Sequence, residues 1–379
     1  GIQCSSIMRI GFDAKRAFNN YSGLGNYSRY IISNICRFYP ENDCFLYTPE
    51  IADTELFNQP QSTTIGLPAG IWRRSGSLWR SFRLTSRLNK DAIDLYHGLS
   101  NELPVGIHKS PVKSLITIHD LIFMEHPELY KSFSRSIYER KVRYGTRVAN
   151  RVIAASEQTR QDIMRFLHVD ESRIRVVYQG CHRQFYSKVS EETMHFARQR
   201  FALPAQYLLY VGTIEERKNL LKIVQALHEG HIDFPLVVVG RKTAYFNQVR
   251  QYIERNSLSN IYFLDQVQAS DLPAIYQGSA GFIYPSSYEG FGIPVLEALN
   301  SGIPVITSRG GCLEETAGKG GLLIDPHNQE EMIHAIRQVL EKSALRDRLV
   351  REGGVHALKF REEQTIPSLY NVYLECMHD

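Results

Sequence analysis

At 379 residues the chain exceeds what one hydrophobic core usually supports, so two domains of ordinary size are expected. Hydrophobic residues at 43% and charged residues at 22% are globular values, and no apolar run approaches the roughly 18 residues of a membrane-spanning helix. The net charge of +4 conceals an asymmetry: residues 1–190 hold 26 Lys and Arg against 17 Asp and Glu, a net of +9, whereas residues 191–379 hold 18 against 23, a net of −5, so the halves face different partners.

The opening GIQCSSIMRIGF lacks the layout of a signal peptide; Met8 is expected as the natural start and residues 1–7 as a cloning remnant. MRIGFDA (Met8–Ala14) reads as a first buried strand. A loop SGLGNY follows, then a helix over NYSRYIISNICRFYP, with Tyr27, Tyr30, Ile31, Asn34 and Ile35 on one face and Pro40 as its stop. Gly23-x-Gly25 is half of the G-x-G-x-x-G fingerprint, because Ser28 stands where the third glycine would be; dinucleotide binding is not expected there, and the glycines fit a tight turn as well as ligand approach. CFLYT, TTIGLP and AIDLYHG (Ala92–Gly98) continue as strands. SLITIHD (Ser114–Asp120) is the most apolar run of this half and delivers His119 and Asp120 at its carboxyl end, where doubly wound sheets hold ligands; a buried, hydrogen-bonded imidazole is the alternative for His119. A helix over Arg135–Ala149, the strand RVIAAS (Arg151–Ser156), the helix EQTRQDIMRFL and the strand IRVVYQG (Ile174–Gly180) complete the half. Sustained alternation of strand and helix builds a parallel sheet covered on both faces.

Two stretches concentrate the positive charge: Trp72–Lys90, with six basic residues and no acidic one, and Lys131–Arg151, with seven and one. Aromatics interleave both. The combination suits an anionic membrane surface or a lipid-phosphate acceptor, and nucleic acid by composition alone; a solvated helix face is the plain alternative.

Residues 180–203 are polar and lose strand character, which places a linker there, ending at Pro204. The pattern then restarts with YLLYVGT (Tyr207–Thr213) and runs through five further strands and their helices, a second doubly wound domain with no sequence repeat of the first. The expected domains are 1–190 and 204–361. Tail helices are expected over Ala344–Phe360 and Thr365–Met377, and the apolar spacing of the last suggests that residues 362–379 cross back to the first domain.

The stretch Tyr284–Thr307, YPSSYEGFGIPVLEALNSGIPVIT, carries the clearest chemistry. A buried strand leads into a loop with Glu289, Gly290 and Gly292, then a helix that starts at Ile293-Pro294 and carries Glu297. Proline is tolerated in a first helical turn, and the glycines allow backbone to approach a ligand. The N–H groups of Phe291, Gly292 and Ile293 would then form an anion site at a sheet's carboxyl edge. Two carboxylates beside an anion are better placed to accept from hydroxyls than to face phosphate, so hydroxyls plus phosphates suggest a nucleotide sugar. An ordinary strand, loop and helix is the alternative. Arg217 and Lys218 follow the first strand of the second domain at the same edge, where two cations would neutralise a leaving diphosphate.

No Asp-x-Asp pair occurs, so a diphosphate held by cations and backbone is expected in place of a required divalent ion. Neither G-x-S-x-G, nor a phosphate-binding G-x-x-x-x-G-K-[ST] loop, nor H-E-x-x-H occurs, which removes the commonest hydrolase, NTPase and metalloprotease readings. The cysteines Cys4, Cys36, Cys44, Cys181, Cys312 and Cys376 are scattered without zinc spacing, as in a reducing cytosol.

These residues resemble a known family. Glu289-GFGIPVL-Glu297 is an E-x7-E motif, supported by SGLGNY (22–27), DLYHG…NELP (94–104), TIHDLIF (117–123), ASEQTRQDI (155–163), VGTIEERKN (211–219) and GIPVITS (302–308). Over nearly its whole length the chain resembles the retaining glycosyltransferases of family 4, glycosyl transferase group 1, and TIHDL with GTxxxRKN looks most like bacterial mannosyltransferases of O-antigen and other surface polysaccharides. The resemblance implies an α/β fold of the GT-B type, two Rossmann-like doubly wound domains facing each other across a cleft. It implies that Glu297 binds the ribose hydroxyls, that Glu289 accepts from donor-sugar hydroxyls, and that the backbone of Phe291 and Gly292 holds sugar and phosphate. Lys218 would lie on the diphosphate with Arg217 assisting, Gly23 and Gly25 would approach the phosphate, His119 would lie near the anomeric carbon, and Val267 would lie where the base rests. Many members have Gly-Arg where this chain has Gly212-Thr213, which leaves the role of Arg217 open. The implied donor is GDP-mannose or a UDP-sugar, with no further cofactor, and the acceptor a glycan or lipid-linked glycan; nucleic acid is not implied. The implied location is the cytoplasm, at the inner face of the membrane. A nucleotide-sugar epimerase of the same fold and a non-catalytic scaffold are the competing readings.

Overall fold

The computed structural model describes residues 7–379. Cys4 and the expectation for the first residues lie outside the described ones, apart from Ile7. The chain divides into two compact units, one of residues up to Gly180 together with Arg361–Asp379, the other Cys181–Phe360.

The first unit is built on seven parallel strands: β1 (Arg9–Asp13), β2 (Asp43–Tyr47), β3 (Thr63–Gly66), β4 (Leu95–Gly98), β5 (Lys113–Ile118), β6 (Arg151–Ala154) and β7 (Ile174–Val176). Their order is β3-β2-β1-β4-β5-β6-β7. Successive side chains leave a strand on opposite faces, and both faces here are apolar. Ile10, Phe12, Leu46, Leu95, Leu115 and Ile153 pack with Ile31, Ile32 and Ile35 of the Gly23–Phe38 helix. Tyr96, Ile116, Ile118, Val152 and Ala154 pack on the other side with Trp79, Leu88, Val142 and Ile163.

The last helix, Glu362–His378, belongs to the first unit and supplies Ile366, Leu369, Val372 and Tyr373 to its core. Its Tyr373 hydroxyl meets Nδ1 of the fully buried His97 at 2.7 Å. Tyr370 stacks on Tyr39, and the Tyr30 hydroxyl meets Thr365 Oγ1 at 2.7 Å.

Six parallel strands form the second unit: β8 (Leu208–Val211), β9 (Leu236–Val239), β10 (Ile261–Leu264), β11 (Gly281–Tyr284), β12 (Val305–Ser308) and β13 (Gly321–Ile324), in the order β10-β9-β8-β11-β12-β13. Three sequence expectations are corrected by the structure. The segment 180–203 is no open linker: Glu191–Arg200 is a helix capped by Ser190, and the Gln277 amide joins Ser187 O and Val189 N–H, so this segment belongs with the second unit from Cys181 onward. Helix propensity of its Glu-, Met- and Ala-containing run outweighs its polarity. SGLGNY is not a loop either. Gly23 is the first residue of a 16-residue helix, and Gly25 is needed because a Cβ there would stand 1.9 Å from Asn20 O. Thirdly, the basic stretch Trp72–Lys90 is not uniformly a surface, since Trp79 and Arg80 are buried.

Truncating a fully buried core leucine costs about 2–5 kcal/mol. Leu369→Ala in the last helix is therefore expected to lower the urea midpoint of the first unit clearly, whereas Leu358→Ala, half exposed in the second unit, shifts its unit little. Equal, small shifts would show that the last helix is not part of that core.

Candidate active site

In the second unit the chain runs outward from β8 through β9 to β10, then returns to pair β11 against the other side of β8. The strand order reverses between β8 and β11, and in open α/β sheets ligands bind beyond the carboxyl ends of the strands at such a point. The residues that the sequence singled out on either side of it come together there.

Arg217 and Lys218 lie on a short 3-10 turn, Glu216–Lys218, after β8. Asn219 follows in the left-handed region at φ 59°, which asparagine tolerates better than most residues. Its amide donates to Pro285 O at 2.7 Å and Ser287 Oγ at 2.9 Å, and the Ser287 N–H donates to Arg217 O at 2.8 Å. These bonds stitch the loop after β8 to the loop after β11.

Glu289 is held by that stitching. Its Oε1 accepts from the Tyr284 hydroxyl at 2.9 Å, from Ser286 Oγ at 2.9 Å and from Arg217 at 3.0 Å, with Lys218 Nζ at 3.9 Å. Arg217 also donates to Tyr288 O and pairs with Glu215 at 2.8 Å. Its described contacts are thus with carboxylates and a carbonyl, which fix Glu289. Lys218 is the looser cation, with Glu215 at 3.8 Å and the Tyr284 ring centroid at 5.7 Å.

Next in the chain, Phe291 is buried, its carbonyl accepting from Thr316 Oγ1 at 2.6 Å. Gly292 caps the Ile293–Asn300 helix with φ +94°, a conformation that favours glycine, and Pro294 stands in the helix's first turn. One turn on, Glu297 Oε2 accepts from the buried Tyr276 hydroxyl at 2.7 Å. Burial pushes the Glu297 carboxyl up to about 7, and the Tyr276 bond only partly counters it. Val267 follows β10, the edge strand separated from β8 by β9.

The first unit has its own reversal, between β1 and β4. His119 follows β5 at that carboxyl edge. Its backbone N–H donates to Asn101 Oδ1 at 2.9 Å, and its Nε2 lies 2.8 Å from Leu99 O. A carbonyl only accepts, so Nε2 carries the proton and Nδ1 the lone pair. Burial, with a smaller push from Arg16, lowers the imidazole to about 4, so His119 is neutral at physiological pH. The Tyr27 ring packs edge-on against it at 4.5 Å, and the Tyr27 hydroxyl meets Thr117 Oγ1, which in turn meets Nε2 of His97. Gly23 and Gly25 begin the helix that presents Tyr27.

At the same edge the sequence reading missed a charged cluster. Asp13, at the end of β1, lies 3.7 Å from the buried Arg80, which also binds Glu102; Lys141 reaches Glu102 at 3.0 Å, and Ser100 donates to Asp13 at 3.2 Å. Its members are far apart in the chain and are joined by topology, so no local motif announces them. Arg16, whose buried Nε has no described acceptor, lies close by in sequence.

The two parallel sheets with reversal points, covered by helices on both faces, define an α/β protein of two Rossmann-like units, with cations, carboxylates and a glycine-capped helix gathered at one reversal. Residues 28–185 match the model for Glycosyltransferase Family 4 and residues 192–354 that for Glycosyl transferases group 1. The chain thus carries a Glycosyltransferase Family 4 domain in its amino-terminal half and a Glycosyl transferases group 1 domain in its carboxyl-terminal half. It is 27% identical over 385 residues to O-antigen chain mannosyltransferase B of Escherichia coli, covering 97% of this chain and 99% of that relative. Its fold is similar to those of a sucrose-phosphate synthase from Thermosynechococcus elongatus, with TM-score 0.79 at 20% identity over 97% of this chain and 98% of that one, and of Anabaena HepE solved with UDP and glucose, with TM-score 0.75 at 18% identity over 97% and 99%.

Glu297 titrates near 7 in the folded chain and near 4.5 unfolded. Between those values the unfolded state has already released its proton, so stability falls as pH rises through the window. Glu297→Gln should therefore raise the urea midpoint at pH 8 and leave it close to wild type at pH 5. An offset of the same size at both pH values would refute the burial argument.

Proposed function

We propose that the protein is a retaining hexosyltransferase that moves mannose from GDP-mannose onto a glycan or lipid-linked glycan acceptor in bacterial surface polysaccharide synthesis, without a divalent ion. The observation that carries this reading is the cluster at the β8/β11 reversal, where Lys218, a glycine-capped helix start and two carboxylates in different electrostatic settings lie on stitched loops. The name of the Escherichia coli relative supports the mannosyl donor and the polymer.

In this reading Lys218 and the N–H groups of Gly292 and Ile293 take the diphosphate, and Glu297 accepts from the ribose hydroxyls. Glu289, with Oε1 committed to its neighbours, offers Oε2 to hydroxyls of the transferred sugar, and Arg217 positions it. Val267 lies under the base. In the first unit, His119 is a neutral imidazole whose Nδ1 accepts, so it can bind a hydroxyl without acting as an acid. As the bond from the anomeric carbon to the phosphate oxygen breaks, the acceptor oxygen bonds to that carbon on the same face. Its proton passes to the departing phosphate, whose growing charge Lys218 stabilises. A UDP-sugar donor is the second reading, favoured by the UDP and glucose in the Anabaena structure.

The acceptor side rests on the first unit. Among the described residues no helix is long and apolar enough to cross a membrane, while exposed Leu78, Phe82, Phe133 and Ile137 stand among Arg73, Arg74, Arg83 and Lys131. That composition suits peripheral contact with an anionic cytoplasmic membrane face, where a lipid-linked acceptor would be met.

Thermal-shift screening of GDP- and UDP-sugars, followed by transfer assays with the one that stabilises, tests the donor. Lys218→Ala is expected to lower kcat about a hundredfold, by analogy with loss of one oxyanion donor. Glu297→Ala should instead raise the donor KM, and EDTA should leave turnover unchanged. Wild-type kinetics in both variants would sink the assignments, loss of activity in EDTA would sink metal independence, and conversion of donor without any acceptor would point to an epimerase.

A further inference from the structure

We propose that the first unit carries a phosphate-binding pocket at the amino edge of its sheet, independent of the sugar chemistry above. The Ser132–Val148 helix ends three residues before β6 begins, and Arg173 immediately precedes β7, so the residues around them lie at the edge opposite His119. A cavity of about 480 Å³ opens there, lined by Arg140, Arg143, Tyr144, Arg147, His168 and Arg173 among others, and no carboxylate is among its lining residues.

The helix places Arg140, Arg143 and Arg147 on one face, at spacings of three and four. Arg173 completes the set from the start of β7 and is anchored there, donating to Thr146 O at 2.9 Å and to Ala149 O. Nearby acids are turned to other tasks. Glu139 takes Arg143 Nε at 2.8 Å, Asp170 accepts from the Ser172 N–H at 2.8 Å, and Glu171 pairs with Arg160. Among the described residues no ion pair involves Arg140 or Arg147.

Structural needs account for part of this cluster. Arg173 satisfies carbonyls at the helix end, and Arg147 lies in the last turn, where the helix dipole favours a cation. Neither reason reaches Arg140, two turns upstream; Arg143 is paired with Glu139 and donates to Phe166 O, but Arg140, Arg147 and Arg173 have no described ion pair and share one hollow, where they repel one another unless an anion is shared between them. Guanidinium forks match the oxygens of a phosphate bidentately, and several of them suit a doubly or triply charged group better than a single carboxylate. The Tyr144 ring, with Arg147 at 5.9 Å, forms a flat wall. The hollow is larger than a bare phosphate, which fits a phosphorylated small molecule or the phosphate of a lipid headgroup.

Two probes separate these sources: inorganic pyrophosphate, titrated calorimetrically, and vesicles of phosphatidylglycerol in phosphatidylcholine, followed by co-sedimentation. Both are applied to the full chain carrying Lys218→Ala, so that the second unit's cation does not contribute. Adding Arg140→Ala with Arg147→Ala removes two exposed side chains and leaves the Arg173 anchor in place; an unchanged Tm verifies the fold. A loss of tenfold or more in pyrophosphate affinity supports a soluble phosphate ligand. The same loss in vesicle binding, with pyrophosphate displacing the wild-type pocket from vesicles, supports a lipid headgroup. The proposal is overturned if neither probe binds, if binding survives the double substitution, or if removing two exposed arginines of the second unit, Arg348→Ala with Arg351→Ala, weakens it equally, since net charge alone would then explain the effect.

Discussion

Asn219 carries a constraint on which the second unit's polar edge depends. β8 and β11 are neighbours in the sheet but far apart in the chain, and beyond their last paired residues no backbone ladder joins the loops that leave them. A side chain and one backbone bond do so. The left-handed backbone at Asn219 turns its amide toward Pro285 O and Ser287 Oγ, and the returning bond from Ser287 to Arg217 O completes the tie. With the loops fixed, Arg217 can meet Glu289 and Tyr288 O from the other side, and Lys218 is directed toward Glu289. An asparagine is suited to this position twice over, by its tolerance of positive φ and by its two amide donors.

The two carboxylates of this edge are handled by different physics. Glu289 stands among cations and hydroxyls, whereas Glu297 is half-buried beside one phenol and desolvation pushes its carboxyl up to about 7. Paired titratable groups in such unlike environments are a mark of sites in which each has a separate task. In the first unit, His119 is neutral for a third reason. Its proton is locked on Nε2 by Leu99 O while burial disfavours the second proton.

Much of the architecture was legible because buried strands leave a strong local signal. Runs such as LLYV, LVVV and GFIY are continuous apolar segments bounded by polar loops, and each is a strand. The E-x7-E spacing was legible for the same reason, since strand, glycine cap and helix follow one another without interruption. What was hidden depended on contacts between distant segments. SGLGNY looked like a loop because glycines disfavour helices, yet the approach of Asn20 O to Gly25 selects glycine inside one. Arg80 looked like surface charge within a basic run, and it is buried because Asp13 and Glu102 arrive from two other strand ends. Likewise Tyr27, Thr117 and His97 form a buried hydrogen-bonded chain that no spacing rule would join.

The return of the last helix to the first unit has a consequence for biosynthesis. On a ribosome the chain emerges from its amino terminus, and domains generally fold as units as they appear. All seven strands of the first sheet are made early, yet the surface covered by Ile366, Leu369 and Tyr373 stays bare until the whole of Cys181–Phe360 has been synthesised. The second unit is one continuous segment, Cys181–Phe360, and is complete before the last helix is made. The first unit thus waits on a later segment to complete its core, and His97 lacks its Tyr373 partner until that segment has been synthesised.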